Sequence, residues 1–294
     1  MKTDHNKRKF FDEIKESILM CKPQEMEVSF RLVNKHNRSR LHACTLAMPG
    51  AAAAPTFYLE DLYEIYLNGT AAEDIAQSLI GYAKENNLMS VPGNIEIDNY
   101  EEVKGKLGLM VIGADRNREY IKRLIHRKIE DLALIPIIFT NDDRGSGCIK
   151  IREEFLDMWD VTAGEVMDEA MKNAPRYMPP VFKQLNEMLC LNDAADDGLF
   201  VISNEYFAGG AAAVFYPGFL DSIGMALNKD LFILPSSINE MILVTDNGQD
   251  PGALLQIVKE VNRYHVAPED VLTDAVYHYS REDGGFHKLL PVTA

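Results

Sequence analysis

The chain has 294 residues, 47% hydrophobic and 26% charged, a balance that supports packed cores and excludes a disordered polar chain. Thirty Lys/Arg stand against 45 Asp/Glu, a net charge of −15. The charge is graded along the chain: residues 1–47 carry ten cations against six anions, and residues 151–294 nine against twenty-three. The acidic C-terminal half repels polyanions, so nucleic acid is not expected as its partner.

Phe11, Ile14 and Ile18 fall at helical spacing and predict an opening amphipathic helix over Phe10–Met20. Met26–Leu32 and Leu41–Ala47 flank the polar loop Asn34–Ser39 and read as a hairpin. After the irregular connector Gly50–Pro55, the residues Leu59, Leu62, Tyr63, Tyr66 and Leu67 mark a helix stopped by Asn68-Gly69. Thr70 and Glu73 have capping-box spacing ahead of a helix with the apolar face Ile75, Ala76, Leu79, Ile80 and Ala83. Pro92-Gly93 breaks the chain before a short helix near Asp98–Lys106. A strand, Leu107–Ile112, and a basic helix, Arg116–Lys128, follow. A second hairpin joins Leu132–Phe139 to Gly147–Arg152, and Thr162 with Glu165 opens another capped helix, ended by Pro175, Pro179 and Pro180.

Asp193–Gly198 is the expected domain boundary, separating an N-terminal α+β region, 1–192, from a C-terminal α+β domain, 193–294. The second part reads as strand, loop, strand, helix (Pro217–Asn228), a hairpin over Asp230–Asp246, a helix begun by Asp250-Pro251, then two strands. This is α+β with C-terminal order near βαββαβ, ferredoxin-like or related. Asp131–Pro136 and Asp230–Pro235 echo each other, as do the two capping boxes, which raises an internal duplication whose test is a shared fold of the halves.

The combination of Asn204, Tyr216-Pro217-Gly218, Asp230–Glu240 and Val266–Val271 with Asp274 and Tyr277 resembles an uncharacterised clostridial family of unknown function. Pro55–Tyr66 and Met158–Thr162 are similar to it too, so the resemblance spans most of the chain. The C-terminal third is distantly similar to a smaller Bacillus family, also uncharacterised. The resemblance implies one architecture throughout and a bacterial cytoplasmic setting, and it names no catalytic residue.

Four scattered cysteines without a C-x-x-C pair fit reduced cytoplasmic thiols rather than a disulfide framework or zinc site. Asp12, Glu13, Lys15 and Glu16 interrupt any signal-peptide core, and the longest stretch without charge, Leu41–Leu59, is broken by Pro49, Gly50 and Pro55, so no membrane segment is expected. Dinucleotide, P-loop, zinc-protease and nucleophile-elbow motifs are all missing, and no cofactor or metal is expected.

Four constellations remain. Ser236, Ser237 and Asn239 in the hairpin turn present two hydroxyls and an amide, either to a ligand or to their own backbone. Asp274 and His278 share one face of a predicted strand and read, with His265, either as an acid–base group or, more simply, as the wet face of a strand that buries Ala275, Tyr277 and Tyr279. His42 and Cys44 share a face of another strand, lack a third member and read as core. The Arg116–Lys128 helix offers a positive patch, with its solvated face the simpler reading. The expectation is a non-enzymatic cytoplasmic protein-binding or adaptor protein, with a hydrolase-like enzyme using the Asp274/His278 pair as the alternative.

Overall fold

Phe10, Phe11, Ile14 and Ile18 line one face of a helix, and in the computed structural model of the protein they form the buried stripe of α1 (Lys2–Cys21). The structure describes residues 2–50, 54–86, 97–142, 145–188 and 198–289. It divides into two compact units, Met1–Asn94 and Ile95–Ala294. Among the described residues no helix is long and apolar enough to cross a membrane.

In the first unit, β1 (Glu27–Lys35), β2 (Arg38–Ala47) and β3 (Thr56–Tyr58) make an antiparallel sheet in chain order, followed by α2 (Leu59–Leu67) and α3 (Ala72–Asn86). Cys44 and Leu46 of β2 meet the α1 stripe, Leu59, Leu62 and Tyr63 of α2, and the predicted apolar face of α3. Burying one such side chain stabilises by about 1.5–3 kcal/mol, which is how three short strands and three helices hold together. The helix α2 ends where the sequence says, at Asn68, with Gly69 at φ +99° turning the chain. The Thr70 capping box does not form: α3 begins at Ala72, and Ile75 N–H donates to Ala71 O, which puts Thr70 outside the cap position.

The second unit opens with the short helix α4 (Tyr100–Val103) and the strand β4 (Leu107–Gly113), every residue of which is buried. Then come α5 (Arg118–Ile121), β5 (Arg127–Ile129), β6 (Leu132–Asp142), β7 (Gly145–Lys150), α6 (Glu153–Trp159), α7 (Ala163–Tyr177), β8 (Pro180–Gln184) and α8 (Leu185–Met188). The rest is β9 (Leu199–Asn204), a 3-10 turn over Gly210–Phe215, α9 (Phe219–Leu227), β10 (Leu231–Ser237), β11 (Glu240–Thr245), α10 (Pro251–Tyr264), β12 (Val276–Tyr279) and β13 (Phe286–Leu289). The central strand β6 pairs with β4, β5 and β7, and a six-stranded antiparallel sheet runs β13-β12-β10-β11-β9-β8. Period-two alternation divides the larger sheet: Leu231, Ile233, Leu243 and Tyr277 join the core shared with β4 and β6, while Phe232, Leu234, Val244 and Val276 pack against Leu254 and Val258 of α10. A polar seam ties the layers. The Tyr277 hydroxyl donates to Asp131 Oδ1 (2.6 Å) and lies 2.9 Å from Thr273 Oγ1, and Lys288 Nζ donates to Asp131 Oδ2 (2.7 Å). Burial first, then the Asp131 bond, pushes the phenol well above its ordinary range.

The α+β class holds, and the βαββαβ order is present from β9 to β12. Its strands lie as β12-β10-β11-β9, with the two hairpin strands central, whereas a ferredoxin-like sheet centres the first and third. The halves do not share a pairing scheme: β4 pairs with β6, the leading strand of its hairpin, but β9 pairs with β11, the returning strand of the other. That difference removes the support for a duplication. The sheet also crosses the boundary expected at 192/193, since β8 pairs with β9 in register from Pro180↔Asn204 to Gln184↔Phe200; the compact units instead meet at 94/95. Residues 191–197 and Pro92-Gly93 lie outside the described residues.

The basic helix Arg116–Lys128 is the clearest local departure. Only Arg118–Ile121 is helical; Ile125 N–H donates to Ile151 O, and Arg127–Ile129 pair with Leu132–Leu134 as β5. Burial of Leu124 and Ile125 against β-structure outweighs their helical spacing. Pro175 sits inside the last turn of α7 rather than ending it, and the Thr162–Glu165 capping box that opens this helix is formed as read.

Candidate functional site

The turn of the β1–β2 hairpin carries a defect at Arg40, a residue that lines a cleft with Lys7 and Arg8 of α1. The strands pair at Val33↔Leu41 and again at Lys35↔Arg38, so Ser39 and Arg40 together oppose Asn34 in a β-bulge. Arg40 adopts φ +58°, the left-handed region that non-glycine residues avoid, and its N–H donates to Asn34 Oδ1 at 2.8 Å. Such strain persists only where the surroundings hold it, and it concentrates at binding and catalytic sites.

The first turn of α2 locks onto the same strand. The backbone N–H of His42 donates to Glu60 Oε2 (3.0 Å), and His42 Nδ1 lies 2.8 Å from Glu60 Oε1. One residue along, Arg38 grips Asp61 with two bonds, 2.6 and 3.3 Å. A carboxylate only accepts, so Nδ1 carries the proton toward Glu60 and Nε2 is the nitrogen left for a ligand. Glu60 is 14% exposed and His42 42%; the Phe11 ring packs 4.6 Å from the imidazole.

Around this pair lies a cleft of about 360 Å³ lined by Lys7, Arg8, Phe11, Arg40, His42 and Glu60. A second, about 220 Å³, shares His42 and adds Lys15 and Arg31. Among the described residues neither Arg8 nor Arg40 makes an ion pair through its side chain, while the neighbouring Lys9 and Arg38 are taken by Glu13 and Asp61. Two guanidinium groups and an ammonium therefore face one carboxylate, which is itself bound to His42. Cys44, two residues on, is fully buried, and burial pushes its thiol up to about 12, so it is core and not a nucleophile. The expectation that His42 is core as well does not hold; it is the residue both clefts share.

The acid–base group expected near the C-terminus is not assembled. The strand β12 begins at Val276, so Asp274 precedes it rather than sharing its face with His278. Asp274 accepts from Arg116 (3.0 Å) and Asn262 (2.8 Å), His278 Nε2 lies 3.2 Å from Asp246 Oδ2, and His265 is exposed at the end of α10. The hairpin-turn residues are spent on their own fold. Ser236 donates to Glu240, Ser237 Oγ accepts from Asn239 N–H, and Asn239 Oδ1 accepts from Gly209 N–H. Four of the six cations of the basic stretch are in ion pairs: Arg116 with Asp274, Arg118 with Asp115, Lys122 with Glu119 and Arg127 with Asp168. Among the described residues no group of three His, Cys, Asp or Glu side chains is placed to hold a metal.

Fold and cleft together define an α+β protein of two units whose N-terminal unit carries a cleft lined, among the described residues, by three cations around a His–Glu pair. The chain belongs to the family described as "Family of unknown function (DUF5688)", which matches residues 7–281. No curated protein and no solved structure matches it.

Proposed function

We propose that the protein is a non-enzymatic binding protein that captures an acidic segment of another protein in the cleft formed by α1, β2 and α2. The observation that carries this reading is the set Lys7, Arg8 and Arg40, contributed by two separate elements around a cleft of about 360 Å³ and, among the described residues, in no ion pair. Clefts lined by one sign of charge concentrate ligands of the other sign and speed their capture. The acidic C-terminal half supports solubility of the complex and discourages nucleic acid as the occupant. A cytoplasmic setting is part of the proposal. The test is binding of a glutamate-rich peptide to the full-length protein as salt is raised. The wild type binds and weakens with salt, and the Lys7→Glu/Arg8→Glu variant loses binding; a wild type with no affinity at low salt removes the reading.

A hydrolytic alternative draws on the His42–Glu60 pair rather than on Asp274 and His278, because a carboxylate-oriented imidazole facing a cleft has the arrangement of a general base. Turnover of a panel of nitrophenyl esters that vanishes in His42→Gln would favour it over simple binding.

A further inference from the structure

We infer that the occupant of this cleft is a phosphate monoester dianion, carried on a serine or threonine of the partner protein, an inference that rests on the binding role above. Charge matching is the first argument. Among the described residues that line the cleft, Lys7, Arg8 and Arg40 supply three positive charges and Glu60 returns one negative charge, an excess of two. A single carboxylate satisfies half of that, whereas a phosphorylated side chain carries about −1.5 to −2 at neutral pH.

Donor geometry is the second argument. A phosphate offers three terminal oxygens arranged around one centre, and the cleft offers donors from two elements: Lys7 and Arg8 on α1, and Arg40 with His42 on β2. Guanidinium groups bind such oxygens two at a time. His42 suits a phosphate in particular. With Nδ1 bound to Glu60, its Nε2 accepts from the P–OH of a monoanion, and as an imidazolium it donates to a dianion, so both protonation states of the ligand find a partner. The bulge is the third argument. Arg40 is held at φ +58° by a hydrogen bond from its own N–H to Asn34, a costly local arrangement whose product is the placement of one more guanidinium at the cleft.

The experiment uses the full-length protein and three labelled peptide pools with degenerate flanks, identical except for a central phosphoserine, glutamate or serine. Binding is followed by fluorescence anisotropy at about 0.15 M salt, with inorganic phosphate titrated separately. The phosphoserine pool is expected to bind about tenfold or more tightly than the glutamate pool. Arg40→Gly, in which glycine accepts the left-handed backbone, is expected to bring phosphoserine binding down to the glutamate level while thermal unfolding shows the fold intact. Equal binding of the phosphoserine and glutamate pools overturns the phosphate inference and leaves the acidic-partner reading standing. Binding by none of the three overturns both. Inorganic phosphate binding as tightly as the phosphoserine pool overturns the protein-borne source.

Discussion

Replacing Arg40 by glycine separates strain from function, because the two respond in opposite directions. Arg40 is exposed, its side chain makes no ion pair among the described residues, and its backbone sits at φ +58°. A non-glycine residue in that region costs roughly 1–2 kcal/mol. Glycine removes this penalty but returns about 0.4–1 kcal/mol through the greater freedom of the unfolded chain. The bond from the residue 40 N–H to Asn34 Oδ1 is unaffected by the change. The net is a stabilisation of about 0.5–1 kcal/mol, which for a cooperative unit of this size is a rise of roughly 2–6 °C in melting temperature. Arg40→Ala keeps the strain and gains nothing. Both variants lose the guanidinium, so both weaken capture of the anionic peptide. The assays are thermal unfolding by circular dichroism and peptide anisotropy on the same preparations. A glycine variant destabilised by more than about 1 kcal/mol contradicts the bulge account, since only a side chain engaged in the fold would cost that much.

The remaining predictions concern the second unit. Tyr277→Phe preserves the ring stacked 4.8 Å from Phe286 but removes the hydroxyl shared by Asp131 and Thr273, and is expected to cost about 1–3 kcal/mol in urea unfolding; a neutral result means the seam contributes nothing. Gly113→Ala puts a Cβ 2.1 Å from Leu272 O, a backbone atom that no rotamer change can move aside, and is expected to destabilise by about 3 kcal/mol, read as a lower urea midpoint. Glu165 accepts from the backbone N–H and the hydroxyl of Thr162, in that order of effect, and these hold its carboxyl below the ordinary 4.5. Its contribution is therefore present above the unfolded value and lost as pH falls through the lower folded one. The melting-temperature gap between wild type and Glu165→Gln should be widest above the ordinary 4.5 and close as pH falls below it; a gap that widens on acidification contradicts the assignment.

Where local chemistry decides structure, the chain could be read directly. The stripe of α1, both ends of α2, the capped start of α7 and the hairpin β10–β11 follow from periodicity, caps and turn residues within a few positions. Where partners are distant it could not. Leu124 and Ile125 keep helical spacing yet are drawn into β-pairing by strands the local pattern does not reveal. The candidate site failed to show for the same reason. Strand alternation groups His42 with Cys44, while its real partner is Glu60, eighteen residues away, delivered by the pairing of β3 with β2. That pairing is masked in sequence by the alanine-rich connector ahead of Pro55. The positive φ of Arg40 leaves no compositional trace, since arginine is not a residue that turns favour. Alternation through Asp274, Val276 and His278 places Asp274 and His278 on one face only in a longer strand; the late start of β12 separates their partners. One signal was available throughout, the excess of ten cations over six anions in the first 47 residues, and it pointed to the unit that carries the cleft.

The central claim is that anion capture happens at His42. Imidazole resonances recorded by NMR while the phosphoserine peptide is added test it most directly, with each histidine assigned by substitution. The account predicts that His42 shifts with the binding curve while His265 and His278 stay fixed. Saturable binding that leaves His42 unmoved, or that moves His278 instead, would contradict it.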